Sequence, residues 1–269
     1  MVKVYMQDEN ASYTVQDLLE IMRILRGEGG CPWDREQTHT SIRNNLLEEA
    51  YEAVDAIDRL DDTDMAEELG DLLLQIVFHA QMASERGGFD FDTVADGICK
   101  KLIYRHPHIF ADTKADTADE VLNNWDKLKR KEKHMESFSE TLAAVPRAFP
   151  ACARAQKVQK RAAKAGYDFK SAQDAVSKLE EELGELKLAL AAGETDHAAE
   201  ELGDLLFSAV NTARLLKTDA EEQLSRATEK FICRFKTAEE LAAKDNRRLD
   251  ELSEDELDDL WQVAKKQGL

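Results

Sequence analysis

Eight carboxylates recur in one register. Glu49 and Glu52 are followed 19 residues later by Glu68 and Asp71, and Glu182 and Glu185 are followed 19 residues later by Glu201 and Asp204. The strings are EEAYE (48–52) with EELGDLLL (67–74), then EELGE (181–185) with EELGDLLF (200–207). Members of each pair are three apart, so on a helix they share a face. If a short turn joins the two helices of each copy, they form an antiparallel hairpin and four carboxylates converge. Such a set repels itself unless a cation intervenes. Hard divalent ions with oxygen ligands relieve the repulsion, and Mg2+ keeps positions open for waters and phosphate oxygens. The pattern points to metal-assisted phosphate chemistry.

A lone EExxE is common on solvated helix faces. Here the motif is duplicated in equal register, and ExxD sits in an apolar run where unpaired charge is costly; both favour a metal site. Gly70, Gly184 and Gly203 lie inside the motifs. A mid-helix glycine costs about 1 kcal/mol relative to alanine, so its repetition implies close approach of another helix or a ligand. Downstream, each half carries Lys and Arg four apart, Lys101/Arg105 and Lys230/Arg234.

Helical periodicity dominates the elements that must position these residues. Leu18, Ile21, Met22 and Leu25 form a stripe after a Thr14 cap, ending near Gly27. Further helices are expected over 42–60, from about 64 to the Gly87-Gly88 pair, and over 92–104, with Asp64 and Glu67 as a capping box for the second of these. The second half repeats helices near 171–192, 196–217, 219–243 and 253–266, and no alternating pattern reads as a strand. Pro146, Pro150 and the charge runs of 112–150 place a boundary there. The expected fold is all-α, with domains 1–135 and 151–269 joined by a linker, 136–150.

With 43% hydrophobic and 34% charged residues, the chain suits a helix-rich globular protein. A net charge of −19 argues against nucleic-acid binding, which needs Lys and Arg against phosphate. An acidic protein that handles phosphates needs metal ions to reverse the local sign. Cys31, Cys99, Cys152 and Cys233 form no CxxC pair, and Cys31 with His39 is not at zinc spacing. The apolar stretch 72–83 is broken by Gln75, His79 and Gln81 and is too short to span a bilayer. MVKVYMQDEN shows no basic segment before an apolar run. No membrane association and a cytoplasmic location are the expectations.

At these motifs the chain resembles the MazG family of NTP pyrophosphohydrolases, within the all-α NTP pyrophosphatase superfamily. EExxE…ExxD occurs twice. GGCPWDREQTHTSIRNNLLEEAYE (29–52) and RHPHIF (105–110) resemble the family's first domain, and RAQKVQKRAAKAGYDF (154–169) and EKFICRF (229–235) its second. The resemblance spans essentially the whole chain. It implies two tandem MazG-like helical bundles in a homodimer with helices packed between subunits, hydrolysis of NTPs or dNTPs to monophosphate and pyrophosphate with Mg2+, and a role in nucleotide-pool housekeeping. The second domain would be the main catalytic one. Matching positions make Glu182, Glu185, Glu201 and Asp204 the metal ligands there, and Glu49, Glu52, Glu68 and Asp71 a second set. Lys178 and Glu181 would help form the nucleotide pocket, with Glu181 orienting or deprotonating the attacking water. Lys230 and Arg234 would contact the triphosphate, and Trp261 would stack on the base. The sequence departs from the family where Cys233 replaces a frequent basic residue and where His197 replaces a frequent Lys.

Other residues read more blandly. Trp33 fits a base-stacking role and a loop anchor equally. His106 and His108 around Pro107 suit a helix-ending turn better than catalysis. The basic stretch 154–164 either lines the phosphate pocket or pairs with acidic helices. A rival reading makes the chain a regulatory interaction module for a protein partner, with a first domain that binds nucleotide without turning it over.

Overall fold

The computed structural model describes residues 11–266 apart from 112, 116 and 134. The N-terminal decapeptide and His134 of the basic run lie outside the described residues. Among those residues every regular element is a helix. The chain divides into two compact units, Met1–Lys129 and Arg130–Leu269.

The first unit holds α1 (Val15–Arg26), α2 (Pro32–Glu36), α3 (Arg43–Arg59), α4 (Asp62–Glu85), α5 (Phe91–Arg105) and α6 (Pro107–Phe110). The unit boundary falls inside α7 (Ala118–Glu132). Thr14 caps α1 in a full capping box with Asp17. α4 begins earlier than expected. Asp61 is its N-cap and accepts from the Thr63 and Asp64 backbone N–H groups, so Asp64 lies inside the helix and the expected Asp64/Glu67 box does not form. Met22, Ile42, Val77, Phe78 and Met82 make the core, backed by Leu18, Leu73 and Phe91.

The second unit continues with α8 (Phe138–Ala143), α9 (Ala151–Lys164), α10 (Ala172–Ala192), α11 (Thr195–Leu215), α12 (Ala220–Lys244) and α13 (Glu254–Lys266). The stretch 136–150, expected as a linker, contains α8, which packs on α9 and is tied to it where Arg161 donates to the Thr141 carbonyl. Buried positions on α10 and α11 include Ala175, Ala189 and Ala198, whose small side chains let the two helices approach closely. Gln156 on α9 is satisfied at both ends of its amide. Nε2 donates to Thr218 O at 2.8 Å and Oε1 accepts from Ala220 N at 2.9 Å.

The two hairpins, α3–α4 and α10–α11, turn in the same way. Each first helix ends in a left-handed residue, Leu60 at φ 56° and Gly193 at φ 76°. Glycine adopts that region freely, whereas a non-glycine residue there costs about 1–2 kcal/mol. Leu60 is 88% exposed, so no packing offsets the cost.

The motif glycines face open space within the chain. A Cβ built on Gly70, Gly184 or Gly203 meets nothing within 4 Å among the described residues. Among the described residues no other helix presses on them, which leaves the space for a ligand or a partner helix.

Candidate active site

The α10–α11 hairpin brings three of its four acidic residues together. One oxygen each from Glu182, Glu201 and Asp204 lies within 4.8 Å of the others. Glu49, Glu68 and Asp71 form the same triad on α3–α4. Glu52 and Glu185, expected as fourth ligands, are outside these triads. Burial, then the charges of Glu201 and Glu182, push the Glu185 carboxyl above its usual range. Burial, then Asp71 and Glu52, do the same to Glu49, and burial, then Glu52 and Asp64, to Glu68. Carboxyls held up by burial and by one another's charge favour a cation.

The two triads differ in their surroundings. In the second, Lys178 Nζ sits 2.8 Å from both Glu181 and buried Glu182. These carboxylates, Glu181 foremost, hold the Lys178 ammonium well above the usual lysine range. His197 Nε2 lies 2.8 Å from Glu201 and its Nδ1 3.1 Å from Glu194. Glu194, then Glu201, raise the His197 pKa against the lowering effect of burial. In the first triad the positions in the same register are Asn45 and Asp64. Asp64 pairs with Arg59 and adds to the rise at Glu68.

The second triad also opens on a cavity of about 540 Å3. Lys178, Glu182 and Asp204 line one side, and α9 contributes Val158, Gln159 and Ala162. Tyr167 and Phe169 enter from the loop after Gly166, and Phe207 and Asn211 lie one and two helical turns beyond Asp204. Gly166 makes the left turn into this loop, with φ +83°. The cavity wall is therefore largely apolar and aromatic, with the acidic triad at its edge. In the first half the position in register with Asn211 is Phe78. Phe78 is 4% exposed, lies under the Arg26 guanidinium and meets Trp33 at 6.4 Å between ring centroids. That position fills core.

The remaining expected site residues are placed as follows. Lys230 is exposed and Arg234 partly buried on α12. Trp261 on α13 packs against Phe231, 5.1 Å between centroids. None of the three lines the 540 Å3 cavity. Arg105, the first-half counterpart of Arg234, is 5% exposed with its guanidinium over Trp125. His106 caps α5 and contacts His108 and Trp125, as suits a helix-ending turn. The basic stretch of α9 lines the cavity through Val158, Gln159 and Ala162. Of its charges, Arg161 reaches the Thr141 carbonyl and Lys157 covers Phe149.

Sequence reasoning missed Gln159, Tyr167, Phe169, Phe207 and Asn211. The usable signal was Phe207 and Asn211 at i+3 and i+7 from Asp204, which sets them on the Asp204 face of α11.

The MazG nucleotide pyrophosphohydrolase domain model matches twice, over residues 37–110 and 170–239, and each match contains one triad. A nucleoside triphosphate pyrophosphohydrolase of Escherichia coli (strain K12) is 44% identical over 258 residues, covering 95% of this chain and 98% of that protein. The nucleoside triphosphate pyrophosphohydrolase/pyrophosphatase MazG of Thermotoga maritima is 43% identical over 257 residues, covering 96% and 98%. An uncharacterized Bacillus subtilis protein, YabN, is 42% identical over 91% of this chain, which spans 50% of that protein. With the duplicated hairpin, the two matched domains and relatives aligned over nearly their whole length, this chain belongs to the MazG nucleotide pyrophosphohydrolase family.

Proposed function

We propose that the second half of this chain hydrolyses nucleoside triphosphates to the monophosphate and pyrophosphate with Mg2+ as cofactor. The observation that carries the reading is the convergence of Glu182, Glu201 and Asp204 at the edge of a cavity large enough for a nucleoside. Three oxygen donors with raised neighbouring carboxyls suit a hard divalent cation. When bound, Mg2+ would offset the charge on phosphate oxygens and make water more acidic.

The chain's own residues supply the rest. Lys178 pairs with both Glu181 and Glu182, which holds Glu181 beside the triad. Glu181 accepts the proton of the attacking water, whose oxygen bonds to the α-phosphorus. The bond from that phosphorus to the bridging oxygen breaks, and pyrophosphate departs with that oxygen. Lys230 and Arg234 offset charge on the leaving phosphates. Glu185, beside the triad, would complete the ligand set.

The first half is read as a metal-binding, non-catalytic domain. Buried Phe78 in place of Asn211, and buried Arg105 with its guanidinium over Trp125, favour this. The first triad, with Glu52, would then bind a cation without turnover, and the domain is open to a regulatory protein partner. A homodimer is supported by apolar side chains exposed on the hairpin, including Leu188, Leu190, Leu202 and Leu206, beside the open space at Gly184 and Gly203. The test is a pair of variants scored for pyrophosphate release. Glu201→Gln should abolish it, while Glu68→Gln with Asp71→Asn should leave it within about twofold. The reverse pattern would move catalysis to the first half and overturn the reading.

A further inference from the structure

His39 and His79 form a pair that the proposed chemistry does not use. Their rings are parallel within 2°, with Nδ1 2.8 Å from Nδ1 and centroids 5.1 Å apart. The centroid distance exceeds the nitrogen distance by the two ring radii, so the rings meet edge to edge in one plane. A carbon in place of either nitrogen would need about 3.3 Å or more, so the contact is an N–H···N hydrogen bond. Such a bond takes one proton. One ring donates from Nδ1–H, and the other accepts at a bare Nδ1 and carries its own proton on Nε2. Both Nε2 atoms are buried without a partner among the described residues.

The pair joins two elements. His79 lies on α4, one turn beyond Gln75, whose Nε2 donates to Glu49 at 3.3 Å. His39 lies in the turn 37–42 that leads into α3. The turn is braced within itself, where Thr38 N donates to Ser41 Oγ at 2.9 Å and Ser41 Oγ to Gln37 Oε1 at 2.7 Å. It is anchored outward by Ile42 in the core, by Arg26, which donates to the Gln37 carbonyl at 3.3 Å, and by His39. Arg26 on α1 pairs with Glu85 on α4, and Arg26 foremost holds the Glu85 carboxyl below its usual range, so neither changes charge near neutrality. Glu49 on α3 and Glu68 on α4 are raised, so their titration favours the folded state as pH falls. The histidines act in the opposite sense.

We propose that the His39–His79 bond is a pH-sensitive latch that docks the turn 37–42, and with it the start of α3, onto α4, and that it opens below neutrality when both rings are protonated. Two imidazolium rings face each other N–H to N–H, and neither keeps an acceptor. Burial, then the charge of His39, already hold the His79 imidazole below its ordinary 6.5. With a lowered folded-state value, the stabilisation is present above about 6.5 and is lost as pH falls below it. The latch is independent of which half turns over substrate.

The test is hydrogen–deuterium exchange of the full chain in EDTA, with protection corrected for the intrinsic exchange rate at each pH. Opening that takes up one to two protons should lower protection of peptides covering 37–45 and 74–83 by about 10- to 100-fold between pH 7.5 and pH 5.5. His39→Gln with His79→Gln, neutral at both pH values, should change by less than about threefold over the same range. The same loss retained in the double variant would overturn the proposal. So would an equal loss in peptides of the α10–α11 hairpin, which would mark general loosening in acid. Should the double variant not fold, the wild-type imidazole nitrogens decide the matter by 15N NMR at pH 7.5. One ring of the pair should carry its proton on Nδ1 and the other on Nε2. Both rings protonated on Nε2 alone would rule out the bond and the latch with it.

Discussion

The second triad makes a sharp statement about stability without metal. Each of Glu182, Glu201 and Asp204 has an oxygen within 4.8 Å of the other two. At that separation two unit charges repel by about 3.5 kcal/mol at an effective dielectric of about 20, and by about 0.9 kcal/mol in bulk water. Lys178 partly neutralises Glu182 and His197 faces Glu201. Asp204 is exposed and has neither kind of counter-ion among the described residues. The low end of the range therefore applies. Asp204→Asn, which removes both of its repulsions, should stabilise the metal-free protein by about 1–2 kcal/mol. For a unit of this size that is a rise in melting temperature of about 3–8 °C. Adding Mg2+ or Mn2+ should reverse the order, because wild type gains from ligation and the variant loses a ligand. The assay is thermal unfolding in EDTA and in millimolar divalent ion. A variant no more stable than wild type in EDTA, or equally stabilised by the metal, would refute the reasoning.

Two further outcomes follow from neighbouring contacts. Lys178→Met leaves Glu182, whose side chain is 7% exposed, without its cation. Metal-free stability should fall and recover in part with Mg2+; an unchanged melt in EDTA would contradict this. At the C-terminal end, Arg247, then Ser253, hold the Glu256 carboxyl down from 4.5 to about 2. A lowered folded-state pKa stabilises fully above about 4.5, and that stabilisation is lost as pH falls toward 2. The urea midpoint of Arg247→Met should therefore lag wild type at pH 7, with the gap closing between pH 4.5 and 2 and shrinking at high salt. A gap independent of pH would exclude this contact as its cause.

The helical hairpins were legible because register is local. An equal 19-residue lag from Glu49 to Glu68 and from Glu182 to Glu201 survives only if both turns keep their length. Helix boundaries were less so, since Asp61 and Asp64 are equally good caps by composition and the choice depends on which backbone N–H groups face the side chain. Spacing put four carboxylates on one hairpin but could not say that Glu52 and Glu185 fall outside the triads. That depends on how the helices rotate about their axes. The role of the glycines was legible only in part. A cost accepted inside a helix implies a close neighbour, but the described residues provide none at Gly70, Gly184 or Gly203. The cavity was the least legible part. Gln159, Tyr167 and Phe207 come from three elements, and a glutamine on a basic helix looks solvated until its acceptor is seen buried.

The central claim is that water attacks the α-phosphorus at the second triad. Turnover of a nucleoside triphosphate in 18O-labelled water with Mg2+, read by mass spectrometry, tests it most directly. The label should appear in the nucleoside monophosphate and leave pyrophosphate unlabelled. Label in pyrophosphate, or release of nucleoside diphosphate with orthophosphate, would contradict it.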